Sequence, residues 1–414
     1  MPDTPALAAA KIPWPLMLFS GFLAAAGLPL YVNLPHFAAS LGMSLSTIGL
    51  LMIGLRVLDF VQDPALGLLI DRFRDQRRRM AGLAILGMAV GFAATFTLQP
   101  GLAGMTVALI VLFTAYSLAS ILFYAQGVAI AEASGGDHHY RLAGYREAGA
   151  LAGIVIASAA PSLLIGVFGE TAGYAAFGAA LAVAGLVIWR QSLGLWQASP
   201  KAPPQFSPTA FLRAGGGRLL TLGLVNTLPV AITSSLFLFF VQDRLQLAAW
   251  SGAFLVLFFL TAGISAPLWS GLVARHGPVR VLVPSMGLAI AAFIGAAALP
   301  EGEILGFALI CALSGLTLGA DMVILPALFA STLAVAQIPA GAGFGLWAFT
   351  NKLALALAAA TVLPLLGAAG YVPGGANSAQ ALSALNLCYA ILPCILKLLA
   401  IALVIRLPQE GFAS

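Results

Sequence analysis

Twelve apolar runs, each long enough to cross a bilayer, follow one another along this chain at roughly 13–36, 45–70, 80–98, 104–131, 143–168, 172–193, 217–241, 249–274, 279–299, 304–334, 341–368 and 380–407. A hydrocarbon core about 30 Å thick needs about 20 apolar residues of helix. A helix of that kind satisfies its own backbone where there is no water to do so. The composition agrees, because 61% of the 414 residues are hydrophobic and 8% are charged, where about a quarter of a soluble domain is charged. The expectation is an all-α polytopic membrane protein with twelve transmembrane helices.

Charge between the runs sets the orientation. Arg72, Arg74, Arg77, Arg78 and Arg79, then Arg141, then Lys201, Arg213 and Arg218, then Arg275 and Arg280 all follow even-numbered runs. The connections after odd-numbered runs hold only Arg244, with Glu170, Asp243, Glu301 and Glu303. The positive-inside rule therefore predicts that both termini are cytoplasmic. The net charge of +5 follows from this asymmetry and does not argue for nucleic-acid binding. Ala24, Ala25, Ala26 and Gly27 look like a small-residue cleavage region. With Lys11 alone as a preceding charge of that kind and eleven runs behind it, the first run is nevertheless expected to stay as an uncleaved helix.

Several chemistries are excluded. Cys311, Cys388 and Cys394 fall within runs, with no CxxC spacing, and read as small buried hydrophobes. His138 and His139 are expected to be a solvated pair in a cytoplasmic loop. Gly215, Gly216 and Gly217 lack the Gly-Lys-Ser/Thr ending of a phosphate-binding loop. No run offers a nucleophile with its base, so neither an enzyme nor a cofactor is expected.

One long polar connection, 194–216, carries Pro200, Lys201, Pro203, Pro204, Pro208 and Arg213, and splits the chain into halves 1–193 and 217–414. This predicts two six-helix bundles related by a parallel repeat. Laying Pro64 on Pro267 aligns Asp59, Asp63, Gly67 and Arg72 with Ala262, Ala266, Ser270 and Arg275. The frame repeats and the carboxylates do not, which puts the coupling chemistry in the first half.

Asp59 and Asp63 lie one turn apart inside the second run, on one face of a helix. Each ionised group at that depth costs about 2.5–3.5 kcal/mol, so the pair must face something other than lipid. Arg56, Asp59, Asp63 and Gly67 form one stripe, which reads as a polar seam for a cation or proton. A purely structural reading, with the pair holding helices together through buried ion pairs, stands beside it. The other ionisable residues within runs are Arg146 with Glu147, Asp321, Lys352 and Lys397. Lys352, eleven residues into its run, is too deep to reach the interface and is the expected partner of the aspartates.

Gly67-Leu-Leu-Ile-Asp71-Arg72, followed by Arg74 and Arg77 and placed after the second of twelve runs, resembles the signature of the major facilitator superfamily. It marks Arg56, Asp71 and Arg72 as coupling or gating residues. The stretch from Arg56 to Gly67 further resembles the cation-site helix of the glycoside-pentoside-hexuronide:cation symporters, of the melibiose permease type. In the same order come Tyr116 with Ser117, Tyr124, Arg146 seven before Gly153, Lys352, Gly370-Tyr371-Val372-Pro373, Gln380-Ala381-Leu382 and Leu392-Pro393.

The resemblance implies that Asp59, Asp63 and the Ser117 hydroxyl ligate Na⁺, a hard cation that takes oxygen donors, or that the aspartates carry H⁺. It implies that Tyr116, Tyr124, Arg146 and Lys352 line the solute site. Leu23 and Ser120 stand where the permease has the aspartates that hold its galactoside, and Ile324 stands where it has a tryptophan. A different small organic solute is therefore expected, with Asp321, Trp347 and Asn351 as candidate replacements. The reading is a monomeric cation-coupled symporter of the bacterial inner membrane. The alternatives are a facilitator-type exporter or amphiphile carrier and, in another class, a non-transporting membrane scaffold.

Overall fold

The computed structural model describes residues 13–98, 101–133, 139–196 and 205–407, and among these there is no strand. Among the described residues ten helices are long and apolar enough to cross a membrane. The first run is not one helix but two, α1 (Pro13–Ala25) and α2 (Leu28–Ser40). Pro29 explains the break, since it has no N–H to give and its ring crowds the preceding turn. The chain closes that turn with bonds from Ala26 N to Leu23 O and Gly27 N to Ala24 O. Then come α3 (Leu45–Arg72), α4 (Arg77–Phe96), α5 (Leu102–Ala133), α6 (His139–Phe168) and α7 (Glu170–Ser192).

The expected polar connection contains a short helix, α8 (Pro208–Arg213), whose Phe211 is buried. Residues 197–204, with Pro200, Lys201, Pro203 and Pro204, lie outside the described residues, as do His138 and the ends 1–12 and 408–414. After it follow α9 (Gly216–Phe239), α10 (Ser251–His276), α11 (Pro278–Ala298), α12 (Ile304–Val335), α13 (Ala340–Ala368), α14 (Ala379–Asn386) and α15 (Leu392–Ile405). A π-helical turn over Leu387–Ile391 joins α14 to α15 and sits just before Pro393. Proline removes one bond from the regular ladder, and a widened turn absorbs the loss.

The chain divides into two compact units, Met1–Ala210 with Ala330–Phe349, and Phe211–Phe329 with Thr350–Ser414. In the first unit α1 packs on α6 and α7, α3 on α5, and α4 on α5 and α7. In the second α9 packs on α15, α10 on α11, and α11 on α15. The core of the first unit is aromatic, with Phe37 between Phe96 and Tyr174. That of the second centres on Phe240 and Tyr389, stacked with centroids 4.0 Å apart. Large apolar side chains point outward, such as Val61 and Leu305 at 72% and 80% exposure.

Close approach of α1 and α6 needs glycine. A Cβ on Gly149 would come within 2.6 Å of the Met17 Cα, and one on Gly153 would overlap Gly21. The two glycines are four apart, the small-residue spacing through which membrane helices bring their backbones together. Gly149→Val is expected to destabilise the protein by about 1–3 kcal/mol through overpacking. Its thermal midpoint in detergent checks this, with partly buried Gly127→Ala as the neutral control, where a Cβ meets nothing within 4 Å.

Candidate functional site

The stripe on α3 turns inward. Asp59 and Asp63 are 1% and 0% exposed, while Val57 and Val61 on the opposite face are open. Asp59 sits in a hydrogen-bonded cluster with α5, and Asp63 is buried one turn further along the same face. Gln62 Nε2 donates to Asp59 Oδ1 at 3.0 Å and to Ser117 Oγ at 3.5 Å. Thr114 Oγ1 donates to Gln62 Oε1 at 2.9 Å. Arg56 Nη1 lies 3.9 Å from Asp59 Oδ2 and is half-buried. The structure therefore brings Arg56, Asp59 and Ser117 together and adds Gln62 and Thr114, which the sequence reading did not assign. The signal was an amide three residues after one aspartate and directly before the other, in the middle of an apolar run.

Arg146 is less available than the sequence suggested. Its Nε donates to Glu147 Oε1 at 2.8 Å, and its Cζ sits 3.9 Å from the centre of the Tyr124 ring. Tyr124 OH donates to the same Glu147 oxygen at 3.3 Å. Neighbouring residues on a helix do not usually face each other, but these long side chains converge around one aromatic face. The carboxylate neutralises the guanidinium, and the ring adds a cation–π attraction. Arg146 Nη2 remains buried without a hydrogen-bond partner among the described residues. The Ser20 hydroxyl donates to the Arg146 carbonyl at 2.6 Å and so fixes this part of α6 against α1.

The first turns of α13 complete the first unit. Phe344 lies 5.0 Å from the Tyr124 ring, Phe349 lies 5.8 Å from Phe60, and Trp347 is buried. Asp71 caps this helix with both carboxylate oxygens, accepting from Gly341 N at 2.9 Å and Ala342 N at 2.6 Å. A carboxylate at a helix N-terminus satisfies two orphan donors and complements the dipole. The backbones meet here because glycine lines both sides. A Cβ on Gly345 would stand 2.7 Å from Asp63 O, and one on Gly341 would stand 2.6 Å from Gly67 O. Arg72, assigned with Asp71, is exposed and lies against Phe73 with 5.8 Å between its Cζ and the ring centre.

Tyr116 is partly buried on α5. Lys352 is partly buried on α13 within the second unit, beside Asn351, whose Oδ1 accepts from Thr227 at 3.3 Å. Asp321, expected at the solute site, forms an ion pair with Lys397, whose Nζ also donates to Asn226 Oδ1 at 2.7 Å. The pairing follows from burial, since neither charge reaches water from its helix. His139, expected to be solvated, is buried at the start of α6. Leu23 and Ile324 are buried apolar residues, and Ser120 is partly buried. Outside the apolar helices, Tyr371 OH donates to Asp243, and burial together with that carboxylate pushes the phenol above its ordinary value.

Residues 21–410 match the family model described as MFS/sugar transport protein. The chain belongs to the major facilitator superfamily. Membership makes it a multi-pass membrane protein of a transporter family. No curated protein sequence matches it. Solved structures share its fold at low identity. One is a bacterial homologue of the iron transporter ferroportin in an outward-facing state, at TM-score 0.70 and 16% identity, over 96% of this chain and 99% of that one. Another is the human organic anion transporter MFSD10, at TM-score 0.67 and 16% identity, over 95% and 99%. A third is the E. coli fucose:proton symporter, at TM-score 0.62 and 16% identity, over 93% and 97%. Three different cargoes on one architecture leave the solute to be argued from side chains.

Asp71→Ala removes the acceptor of two backbone donors. It is expected to cost about 1–2 kcal/mol, read as a lower thermal midpoint, with Asp71→Asn recovering part of the loss because its amide oxygen still caps one donor.

Proposed function

We propose that the protein is a secondary transporter of the inner membrane that couples a monovalent cation, Na⁺ or H⁺, to symport of a small organic solute by alternating access. The observation that carries this reading is the cluster on α3 and α5 in which buried Asp59 and Ser117 meet partly buried Gln62 and Thr114, with buried Asp63 one turn along the same face. It gathers carboxylate, amide and hydroxyl oxygens where a membrane protein has no structural need of two like charges. Such donors fit a hard cation.

Two carboxylates about 6 Å apart in a partly dry interior resist joint ionisation. A proton on one or a cation shared between them relieves that repulsion. Gln62 supports the second case. Its amide nitrogen now sits against Asp59 and Ser117, where its N–H dipole supplies the positive end a cation would otherwise bring. Turning the amide over presents Oε1 instead and completes an oxygen set. The nitrogen and oxygen of an amide are assigned from their bonds, and the two orientations correspond here to the cation-free and cation-bound states.

Arg146, Tyr124 and Tyr116 take the solute in the first unit. The unused Nη2 of Arg146 donates to a hydroxyl or carboxylate oxygen, and the Tyr124 and Phe344 rings pack against an apolar face of the ligand. Lys352, partly buried on α13, carries a charge that coupled uptake needs. With Leu23 and Ser120 in place of acidic residues, the solute is a sugar-like molecule other than a galactoside.

The test is thermal stability of purified protein in NaCl against choline chloride, at several pH values, for wild type and Asp59→Asn. A ligand at 100 times its dissociation constant stabilises the folded state by about 2.7 kcal/mol. The expected result is a Na⁺-specific rise in midpoint, or a pH-dependent one for H⁺, that disappears in Asp59→Asn. Absence of both in the wild type refutes the assignment. Lys352→Ala is expected to remain inserted and lose concentrative uptake, scored in vesicles across a solute panel that drives wild-type uptake.

A further inference from the structure

The second unit holds a buried charge cluster that the cation site does not use. Asp321 on α12, Lys397 on α15 and Asn226 on α9 are 7%, 2% and 3% exposed. Lys397 Nζ is bonded to Asp321 Oδ2 and to Asn226 Oδ1. The other carboxylate oxygen, Asp321 Oδ1, is buried and has no hydrogen-bond partner among the described residues. Ser314 and Thr317 share its face of α12 at helical spacing, both buried, and Ser314 Oγ also lacks a partner. A buried polar atom left unmet in a native fold calls for a physical reason. Stability does not supply one, because packed apolar side chains of similar volume commonly hold helices together as well as a buried ion pair does.

We propose that Asp321 is a proton-exchange site of the second unit, with Lys397 as its counter-ion and the Ser314 and Thr317 hydroxyls leading to it. A hydronium ion gives its proton to Oδ1 and leaves as water, so one O–H bond breaks and one forms, and the net charge of the cluster rises by one. No other covalent bond changes. The ion pair loosens, and Lys397 keeps Asn226 as an acceptor for its ammonium, so the protonated state leaves no cation without a partner. Of the ionisable groups on the helices packed around it, Lys397 is the one bonded to Asp321. Cys394 on α15 is bonded to Ala390 O and lies near Ile290 O. Cys311 is buried earlier on α12, Lys352 lies on α13, Arg280 stands near the start of α11, and His276 ends α10 bonded to Leu272 O. The site is separate from Asp59 and Asp63, and the proposal stands whichever cation those residues bind.

The experiment is difference infrared spectroscopy of the full chain in lipid vesicles, comparing acid with alkaline buffer in the carbonyl region of a protonated buried carboxyl. The probe is the proton itself. The expected result is a carboxyl band in the wild type that persists in Asp59→Asn/Asp63→Asn, persists at a shifted frequency in Asp321→Glu, and is lost in Asp321→Asn. Because Asp321→Asn strands a buried cation, Asp321→Asn/Lys397→Met serves as the second variant, with both charges removed, and must lose the same band. A wild-type spectrum identical in this region to that of the double variant overturns the proposal and makes the pair a permanent strut. So does a band that only Asp59→Asn/Asp63→Asn removes.

Discussion

Every ionised side chain within the apolar helices has to be compensated inside the protein, and the local architecture follows from how each one is met. Asp59 is answered by Gln62 and Arg56, Arg146 by Glu147 and the Tyr124 ring, and Lys397 by Asp321 and Asn226. Each set draws on different helices or on successive turns of one. The helices therefore cannot slide or rotate without exposing a charge to hydrocarbon, at a cost of several kcal/mol. The lipid-facing surfaces carry no such instruction, and they are filled with aliphatic side chains that any apolar residue can replace.

The repeat shows what this constraint does to packing. With Pro64 matched to Pro267, Gln62 corresponds to Ser265 and the two aspartates to Ala262 and Ala266. In the second unit the helix carrying the alanines meets α12 closely. A Cβ on Gly319 would stand 2.7 Å from Ala262 O, and the Ser265 hydroxyl already donates to Leu316 O at 3.2 Å. In the first unit the equivalent pair, α3 and α5, is joined through the Asp59, Gln62, Thr114 and Ser117 side chains. One copy of the motif is dry and tight, and the other is polar and bridged by an amide. Duplicated backbones have thus been given different interiors.

Glycine plays the complementary part. Where Gly67 meets Gly341 and Gly345, the backbones come close enough for a carboxylate at the exit of α3 to cap α13 directly. This places Phe344 against Tyr124 and Phe349 against Phe60, next to the residues proposed to hold the solute. The signature that marked Arg56, Asp71 and Arg72 as coupling or gating residues holds a partly buried cap, Asp71, and an exposed cation, Arg72. The cap holds two backbone donors that a conformational change would have to release.

The sequence by itself determined the membrane class, the succession of apolar helices and the inward face of α3. These depend on local quantities: the length of an apolar run, the spacing of two aspartates, and the cost of a charge in hydrocarbon. It also pointed to the superfamily through Gly67, Asp71 and Arg72. Partnership was decided by tertiary structure. That Lys397 takes Asp321, that Glu147 occupies Arg146, and that Gln62 lies against Asp59 depend on which helices are neighbours and how each is rotated. The break at Ala26–Gly27 and the π-turn before Pro393 both lie beside prolines, Pro29 and Pro393, yet the apolar runs read as continuous helices across them. A charge in an apolar run announces that it needs a partner, and only the packed fold names it.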